Sequence, residues 1–138
     1  MFFYPIDFGY ISPSELLALN SVKKDLDDLK CNLLACSTDS AVVHNKFISV
    51  APEEGGVKGL FFPLLEDVNG DIAEKYGVLS IRNDSGYTFR GYFLIDSEGT
   101  IRMRTVYDLP VGIGCEKLPE TIQAVQDALR EDTWFETN

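Results

Sequence analysis

The chain is poor in basic residues, histidine and cysteine, and it contains no long apolar run. Its 138 residues carry 12 Lys and Arg against 22 Asp and Glu, which gives a formal net charge of −10. This balance disfavours binding to nucleic acid or to an anionic membrane surface, because both need clustered basic side chains. No run reaches 18 apolar residues, so the sequence predicts no membrane-spanning helix.

The first residues, MFFYPID, lack a basic region, and Pro5 interrupts their apolar run. We therefore expect no signal peptide and a cytoplasmic protein. Cys31, Cys36 and Cys115 are expected to be free thiols. The only histidine, His44, is interpreted as a packed helix residue, and no spacing of Cys, His and carboxylates indicates zinc. We expect neither a metal nor a cofactor.

Apolar periodicity predicts alternating strands and helices. Helices are predicted over residues 14–30, 38–49, 67–77 and 119–130, and strands over residues 1–4, 31–37, 60–65, 89–95 and 100–107. The last two strands form a hairpin around the turn sequence DSEG. Pro63 favours either an edge position or a strand end within the segment at 60–65. No linker or repeat interrupts this order, so we predict one domain over residues 1–138. Its class is α/β, with a mixed sheet, helices on both faces and a thioredoxin-like topology.

Individual residues carry further expectations about these elements. Asp67 is a candidate cap for the helix at 67–77, and Gly77 is suited to its end. Cys31 and Cys36 lie five residues apart in one predicted strand, so their side chains point to opposite faces and cannot form a disulfide. Cys115 lies in a Gly-rich stretch where we expect exposure, and the adjacent Glu116 should raise the pKa of its thiol.

The stretch DFGYISPSELL has a structural interpretation of its own. Ser12 can cap the following helix, Pro13 suits the first helical position, and Glu15 can reach back to the Ser12 amide in a capping box. A nucleophilic serine would need a neighbouring base, and His44 lies in a different predicted element without a G-x-S-x-G turn. Hydrolase chemistry at Ser12 is therefore disfavoured.

The longer segment FFYPIDFGYISPSEL resembles the active-site segment of the peroxiredoxins of the AhpC/TSA, typical 2-Cys type. CNLLACSTDS, FPLLEDVNGDIAEKYGVL, FRGYFLID and RTVYDLPVG are similar to further segments of that family, in the same order. The resemblance implies a thioredoxin-like fold and, for the family, thioredoxin-dependent reduction of hydroperoxides.

The resemblance also maps the family's P-x-x-x-T-x-x-C motif and its distant arginine onto this chain. Pro5 and Arg90 match. Arg90 is expected to pair with Glu15 in the first turn of the helix, and in the family this arginine and glutamate belong to one hydrogen-bond network around the site. Ser12 stands at the peroxidatic cysteine position, and Gly9 stands at the threonine position. A serine in place of the cysteine alone could be an engineered trap, but such a trap would not also need glycine in place of threonine, so loss of both groups favours natural degeneration. Because a serine hydroxyl cannot form a sulfenic acid, we predict a pseudoenzyme.

Three other departures agree with this interpretation. No resolving cysteine follows the last predicted helix, and Ile113 stands where the family has a second arginine. The family's N-terminal hairpin precedes the position of Met1, so we expect that hairpin to be missing.

Three functions remain open at this point. The first is an inactive peroxiredoxin-like protein that forms homodimers, through the strand at residues 100–107, or mixed oligomers with active peroxiredoxins. The second is a thioredoxin-dependent peroxidase that uses another thiol, such as Cys115. The third is a binding module with a contact surface around Phe61, Phe62 and Trp134, although such aromatic residues more often fill cores.

Overall fold

A computed structural model of the protein describes residues 1–80, 86–108 and 114–130. These residues form a five-stranded mixed sheet with four α-helices. In chain order the elements are β1 (Phe2–Phe3), α1 (Ser12–Asp28), β2 (Ala35–Ser37), α2 (Ala41–Ser49), β3 (Leu64–Glu66), α3 (Asp71–Lys75), β4 (Arg90–Ile95), β5 (Ile101–Tyr107) and α4 (Leu118–Arg130). A short 3₁₀ turn, Pro52–Glu54, follows α2.

The strand order is β3-β2-β1-β4-β5, with β1 at the centre. Strands β1, β2 and β3 are parallel, while β4 is antiparallel to both β1 and β5. The predicted fold class is confirmed by this mixed sheet, and β3 lies at an edge as Pro63 indicated. Residues 96–100 join β4 and β5 in the predicted hairpin.

Side chains alternate between two apolar clusters because neighbouring residues of a strand point to opposite sides of a sheet. Phe2 belongs to one cluster together with residues of α1 and α4, including Leu16, Leu19 and Ile122. Phe3 belongs to the other cluster, which contains Ala73 of α3. The sheet thus separates two apolar cores, and the C-terminal end of β1 lies between them.

Several predicted bounds were too wide. The strand predicted at 31–37 is only Ala35–Ser37, because Lys30 adopts a positive φ of 55° and the chain turns there before it becomes extended. The helix predicted from residue 38 begins at Ala41, since the Ser40 hydroxyl accepts a hydrogen bond from the amide of Val43 and caps it.

Helix α3 is also shorter than predicted, but its boundary residues act as expected. Its N-terminal flanking residue is Gly70, whereas the Asp67 carboxylate accepts hydrogen bonds from the amides of Ile72 and Ala73. Gly77 follows the helix with φ of 72°, a conformation that favours glycine.

Candidate functional site

The candidate site surrounds the connection between β1 and α1, residues 4–11. Pro5 is buried directly after β1, and Ser12 is 1% exposed at the first position of α1. Because β1 is the central strand, this connection leaves the middle of the sheet and carries the chain directly to a helix start.

The predicted capping box at the start of α1 is wrong. Ile11 is the N-terminal flanking residue, and no side chain caps the helix. The Ser12 hydroxyl is buried and has no hydrogen-bond partner within the described ranges of the chain. Glu15 is engaged by Arg90 instead of reaching back, because a buried guanidinium is a stronger partner for a carboxylate than a backbone amide.

Gly9 lies beside the Ser12 hydroxyl. A Cβ atom at Gly9 would stand 3.5 Å from the Ser12 Oγ, 2.9 Å from the Ile6 Cγ2 and 3.3 Å from the Ile6 carbonyl oxygen. The loop therefore packs tightly against position 9, and any side chain introduced there must displace Ile6 slightly. Two of the positions that the sequence singled out are thus adjacent in space.

Arg90 and Glu15 form a buried ion pair across the sheet and α1. The Arg90 Nε donates to the Glu15 Oε1 at 2.5 Å, and the two side chains are 6% and 5% exposed. The predicted pairing of these residues is confirmed. It fixes the first turn of α1, three residues after Ser12, against the start of β4.

A second buried polar network, centred on Asp7, was missed by sequence reasoning. The Asp7 Oδ1 accepts from the Tyr4 hydroxyl at 2.6 Å, and its Oδ2 lies 2.5 Å from the His44 Nδ1. The Asp7 amide donates to the Asp39 carboxylate at 2.7 Å, and that carboxylate also accepts from the Ser37 hydroxyl. Asp7 follows the apolar start of the chain and His44 is the sole histidine, which are the signals that could have suggested the pair.

Burial and the Asp7 carboxylate shift the pKa values in this network. Burial, followed by the charge and hydrogen bond of Asp7, raises the pKa of the Tyr4 hydroxyl. Burial alone would lower the pKa of His44, but its hydrogen bonds to Asp7 and to the Leu65 carbonyl outweigh that effect and raise it. His44 is therefore a buried member of this polar network, in addition to being the packed helix residue that was predicted.

The three thiols are not arranged as an alternative reactive centre. Cys115 is 2% exposed and belongs to the core cluster of α1 and α4, so the predicted exposure is wrong. Packing at the start of α4 places it inside the protein. Burial, and then Glu116, raises the pKa of the Cys115 thiol, in the direction that the sequence predicted. Burial raises the pKa of Cys36 to about 12, and it also raises the pKa of Cys31.

The remaining predicted positions are less informative. Phe62 is buried in the core, whereas Phe61 is 73% exposed, so they do not form one surface. Ile113 and Trp134 lie outside the described residues. Within the described ranges, no group of three His, Cys, Asp or Glu side chains is placed to hold a metal ion. Nor is any helix there both long and apolar enough to cross a bilayer.

Comparison with known proteins decides the family. The sequence model of the AhpC/TSA family matches residues 1–104. The chain belongs to the AhpC/TSA family. Among relatives, it is 41% identical over 126 residues to a thioredoxin peroxidase of Echinococcus granulosus and 40% identical to peroxiredoxin-2 of Rattus norvegicus. Both alignments cover 91% of this chain, and they cover 64% and 63% of the respective relatives.

Solved peroxiredoxin structures share this AhpC/TSA fold. The reduced 2-Cys peroxiredoxin of Plasmodium vivax superimposes with a TM-score of 0.88 at 29% identity, over 94% of this chain and 65% of that one. AhpC of Enterococcus faecalis gives a TM-score of 0.83 at 30% identity, over 94% of this chain and 75% of its own. The chain is a peroxiredoxin family member with a thioredoxin-like fold. It spans less than two-thirds of the length of the Echinococcus granulosus and Rattus norvegicus relatives.

Proposed function

We propose that this AhpC/TSA member is a catalytically inactive or strongly impaired peroxiredoxin-like protein that acts by association with other protein chains. The observation that carries the proposal is the hydroxyl of Ser12, which occupies the helix start where the family motif has its peroxidatic cysteine. An alcohol stays protonated near neutral pH and has no sulfenic acid form, so it cannot take up an oxygen atom from a hydroperoxide.

The surroundings of Ser12 support a preserved scaffold without its reactive atom. Pro5 is buried, Arg90 and Glu15 form their ion pair, and α1 begins at Ser12. A thiolate at this point would be favoured by the amide groups and dipole of the helix start. Gly9 adds a second loss, because it offers no hydroxyl beside Ser12.

The competing function is a thioredoxin-dependent peroxidase that uses Cys115. Burial and a raised pKa both reduce the thiolate form that attacks a peroxide, so these properties count against Cys115 as the attacking group. Cys36 is disfavoured for the same reasons. The names of the relatives, thioredoxin peroxidase and peroxiredoxin, describe peroxide reduction by those proteins and do not assign it to this chain.

Association is supported by the exposed edge of the sheet. Strand β5 is an outer strand of the described sheet, with Ile101 46% and Tyr107 37% exposed. Pairing of this edge with a second copy would form a homodimer, and pairing with an active peroxiredoxin would form a mixed oligomer. One solved relative, from Plasmodium yoelii, is described as an artifactual octamer.

Thioredoxin is a further candidate partner, and we propose a cytoplasmic location.

The proposal is tested by peroxide consumption with thioredoxin as reductant. We expect no turnover by the native protein. Ser12→Cys, alone and together with Gly9→Thr, should restore a single turnover, with sulfenic acid at position 12 detected by mass spectrometry. The single variant is included because Gly9→Thr must displace Ile6.

Ser21→Cys provides the matched control, since Ser21 is exposed in the interior of α1, nine residues after Ser12. The thiol at position 12 should react at least about tenfold faster than the thiol at position 21, because only position 12 lies at the helix N-terminus, where the pKa of a cysteine is lowered. Thioredoxin-dependent turnover by the native protein would refute the proposal, and loss of that turnover in Cys115→Ala would assign it to Cys115.

A further inference from the structure

Two side chains of α2 hold the connection between β1 and α1, residues 4–11, in place; this connection is called the β1–α1 loop. The His44 Nδ1 lies 2.5 Å from the Asp7 carboxylate, and the ring of Phe47, about one turn further on, packs against that of Phe8 at a centroid distance of 4.8 Å and a tilt of 54°. Phe8 has a φ of 59°, a conformation that costs free energy for a residue with a side chain. Contacts from α2 must therefore hold the loop in this shape.

Both ring nitrogens of His44 face acceptors. The Nδ1 faces the Asp7 Oδ2, and the Nε2 lies 2.9 Å from the carbonyl oxygen of Leu65 in β3. A neutral imidazole carries one N–H group, so it can serve only one of these acceptors, whereas an imidazolium serves both. His44 is 4% exposed, so water cannot easily replace the missing donor.

We propose that protonated His44 is a pH-operated latch that fastens the β1–α1 loop, and with it the Ser12 site, to α2 and β3. Loss of the proton leaves either the Asp7 carboxylate or the Leu65 carbonyl opposite a nitrogen lone pair. The loop then loses a charge-assisted tie, and the strained conformation at Phe8 is released. This inference does not depend on whether position 12 reacts with peroxide.

The charges around His44 set the direction of the pH dependence. Asp7 faces it from the β1–α1 side, where the Tyr4 hydroxyl donates to the other oxygen of the same carboxylate, and Asp39 contributes from the connection between β2 and α2. From β3, the neighbouring Glu66 carboxylate is directed at the amide of Ala41. Since the net effect raises the pKa of His44 in the folded protein, the latch is complete below the ordinary value of about 6.5 and opens as the pH rises through the folded value.

The latch controls access to the site because the site is closed. Ser12, Glu15 and Arg90 are all at most 6% exposed, and Gly9 packs against Ile6 in the same loop. A molecule that reaches the Ser12 hydroxyl must therefore move this loop. Opening would also uncover apolar surface between Phe8 and Phe47.

The presence of a single histidine makes the test direct, because one imidazole NMR signal reports His44 without mutation. We would follow that signal from pH 5.5 to 10 and measure amide hydrogen exchange of residues 6–11, corrected for the intrinsic pH dependence and referenced to the interior of α1. The protection of the loop should fall by about 10- to 100-fold, the factor that corresponds to losing one hydrogen bond to a charged group. The midpoint of this fall should coincide with the titration of His44, above pH 6.5.

Two variants separate the latch from a passive packing role. His44→Gln keeps hydrogen-bonding capacity without a titrating ring, so the pH-dependent step in loop protection should disappear. Asp7→Asn removes the charge that favours the imidazolium and should shift the step and the NMR titration downward together, by about 1 to 3 pH units.

Three results would overturn the inference. They are a His44 titration below pH 6.5, a titration without any change in loop protection, and a signal that stays unchanged to pH 10 in the folded protein. All three are measured on the native chain, so they decide the question even if a variant fails to fold.

Discussion

The guanidinium of Arg90 and the carboxylate of Glu15 are both withdrawn from water and depend on one another. Each is at most 6% exposed, and the pair joins β4 to the first turn of α1. The attraction within such a pair is offset by the cost of removing both charges from water, so its net contribution to stability is small. Removing one partner is different, because the other buried charge then loses its counter-ion.

We therefore predict that Arg90→Met lowers the free energy of unfolding by about 3 to 5 kcal/mol. Urea denaturation followed by circular dichroism would measure the change. The double variant Glu15→Gln, Arg90→Met should be more stable than Arg90→Met alone, since it also removes the buried charge that the Arg90 guanidinium neutralises.

The exposed pair between Lys23 and Asp27 provides the matched control for this prediction. Its atoms are 2.8 Å apart, but the Asp27 side chain is 55% exposed. Lys23→Met should change stability by at most about 1 kcal/mol. Equal losses in Arg90→Met and Lys23→Met would show that burial of the Arg90 pair has no special effect.

At the scale of secondary structure, α3 illustrates how a short helix depends on a residue outside it. The helix has only five residues, too few to be stable on propensity alone. The Asp67 carboxylate, 6% exposed, accepts from the amides of Ile72 at 3.0 Å and Ala73 at 2.8 Å. It satisfies two of the amides that a helix start leaves without partners.

We predict that Asp67→Ala destabilises the protein by about 1 to 2 kcal/mol, the usual cost of losing a helix cap. The amide of Ala73 should lose its protection from hydrogen exchange in the same variant. Asp71→Ala is the control, because Asp71 is an exposed first-turn residue whose replacement should cost about 0.5 kcal/mol or less. An Asp67→Ala protein as stable as Asp71→Ala would contradict the assigned role of Asp67.

At the scale of the whole molecule, the two edges of the sheet differ in length and exposure. Strand β3 has three residues, whereas β5 has seven and ends in exposed apolar side chains at Ile101 and Tyr107. Arg102, which pairs with Asp96 at 2.8 Å, limits indiscriminate pairing of the longer edge. Strand β5 is therefore the edge that the proposed association would use.

If β5 is the contact surface, Ile101→Lys combined with Tyr107→Lys should weaken self-association at least about tenfold. Each apolar side chain buried in an interface contributes roughly 1.5 to 3 kcal/mol, and 1.4 kcal/mol corresponds to a factor of ten. Sedimentation analysis over a range of concentrations would measure the effect. Val68→Lys is the control, because Val68 is 58% exposed next to the opposite edge. A native protein that stays monomeric at high micromolar concentration would exclude homodimers.

Periodicity in the sequence was sufficient for the order and type of the elements. Alternating apolar runs, the DSEG turn and Pro63 predicted the hairpin and the edge strand, and Gly77 marked the end of α3. These features are local, because each depends on residues within one or two turns of chain. Helix starts were less predictable in position. Helix α2 begins three residues after its predicted start, at the cap formed by Ser40, and α3 begins four residues after Asp67, although Asp67 was correctly predicted to cap it.

The interactions of the candidate site followed the sequence only in part. The motif around Ser12 singled out Pro5, Gly9, Glu15 and Arg90, and of their interactions the pairing of Glu15 with Arg90 was predicted and is confirmed. Ser12 and Glu15 also matched a capping box, which did not form because Arg90, 75 residues away along the chain, takes the carboxylate. The Arg90 guanidinium, which folding brings close to Glu15, is a stronger partner for its carboxylate than the nearby Ser12 amide.

The sequence by itself determined the family, the alternation of strands and helices, and the absence of a thiol at position 12, because these depend only on residue identity and order. The tertiary structure alone decided that the Ser12 hydroxyl is buried without a partner in the described chain, that Cys115 is inside the core and that His44 serves two acceptors. Burial and the pairing of distant polar groups arise when the sheet and helices pack together, and no local pattern specifies them.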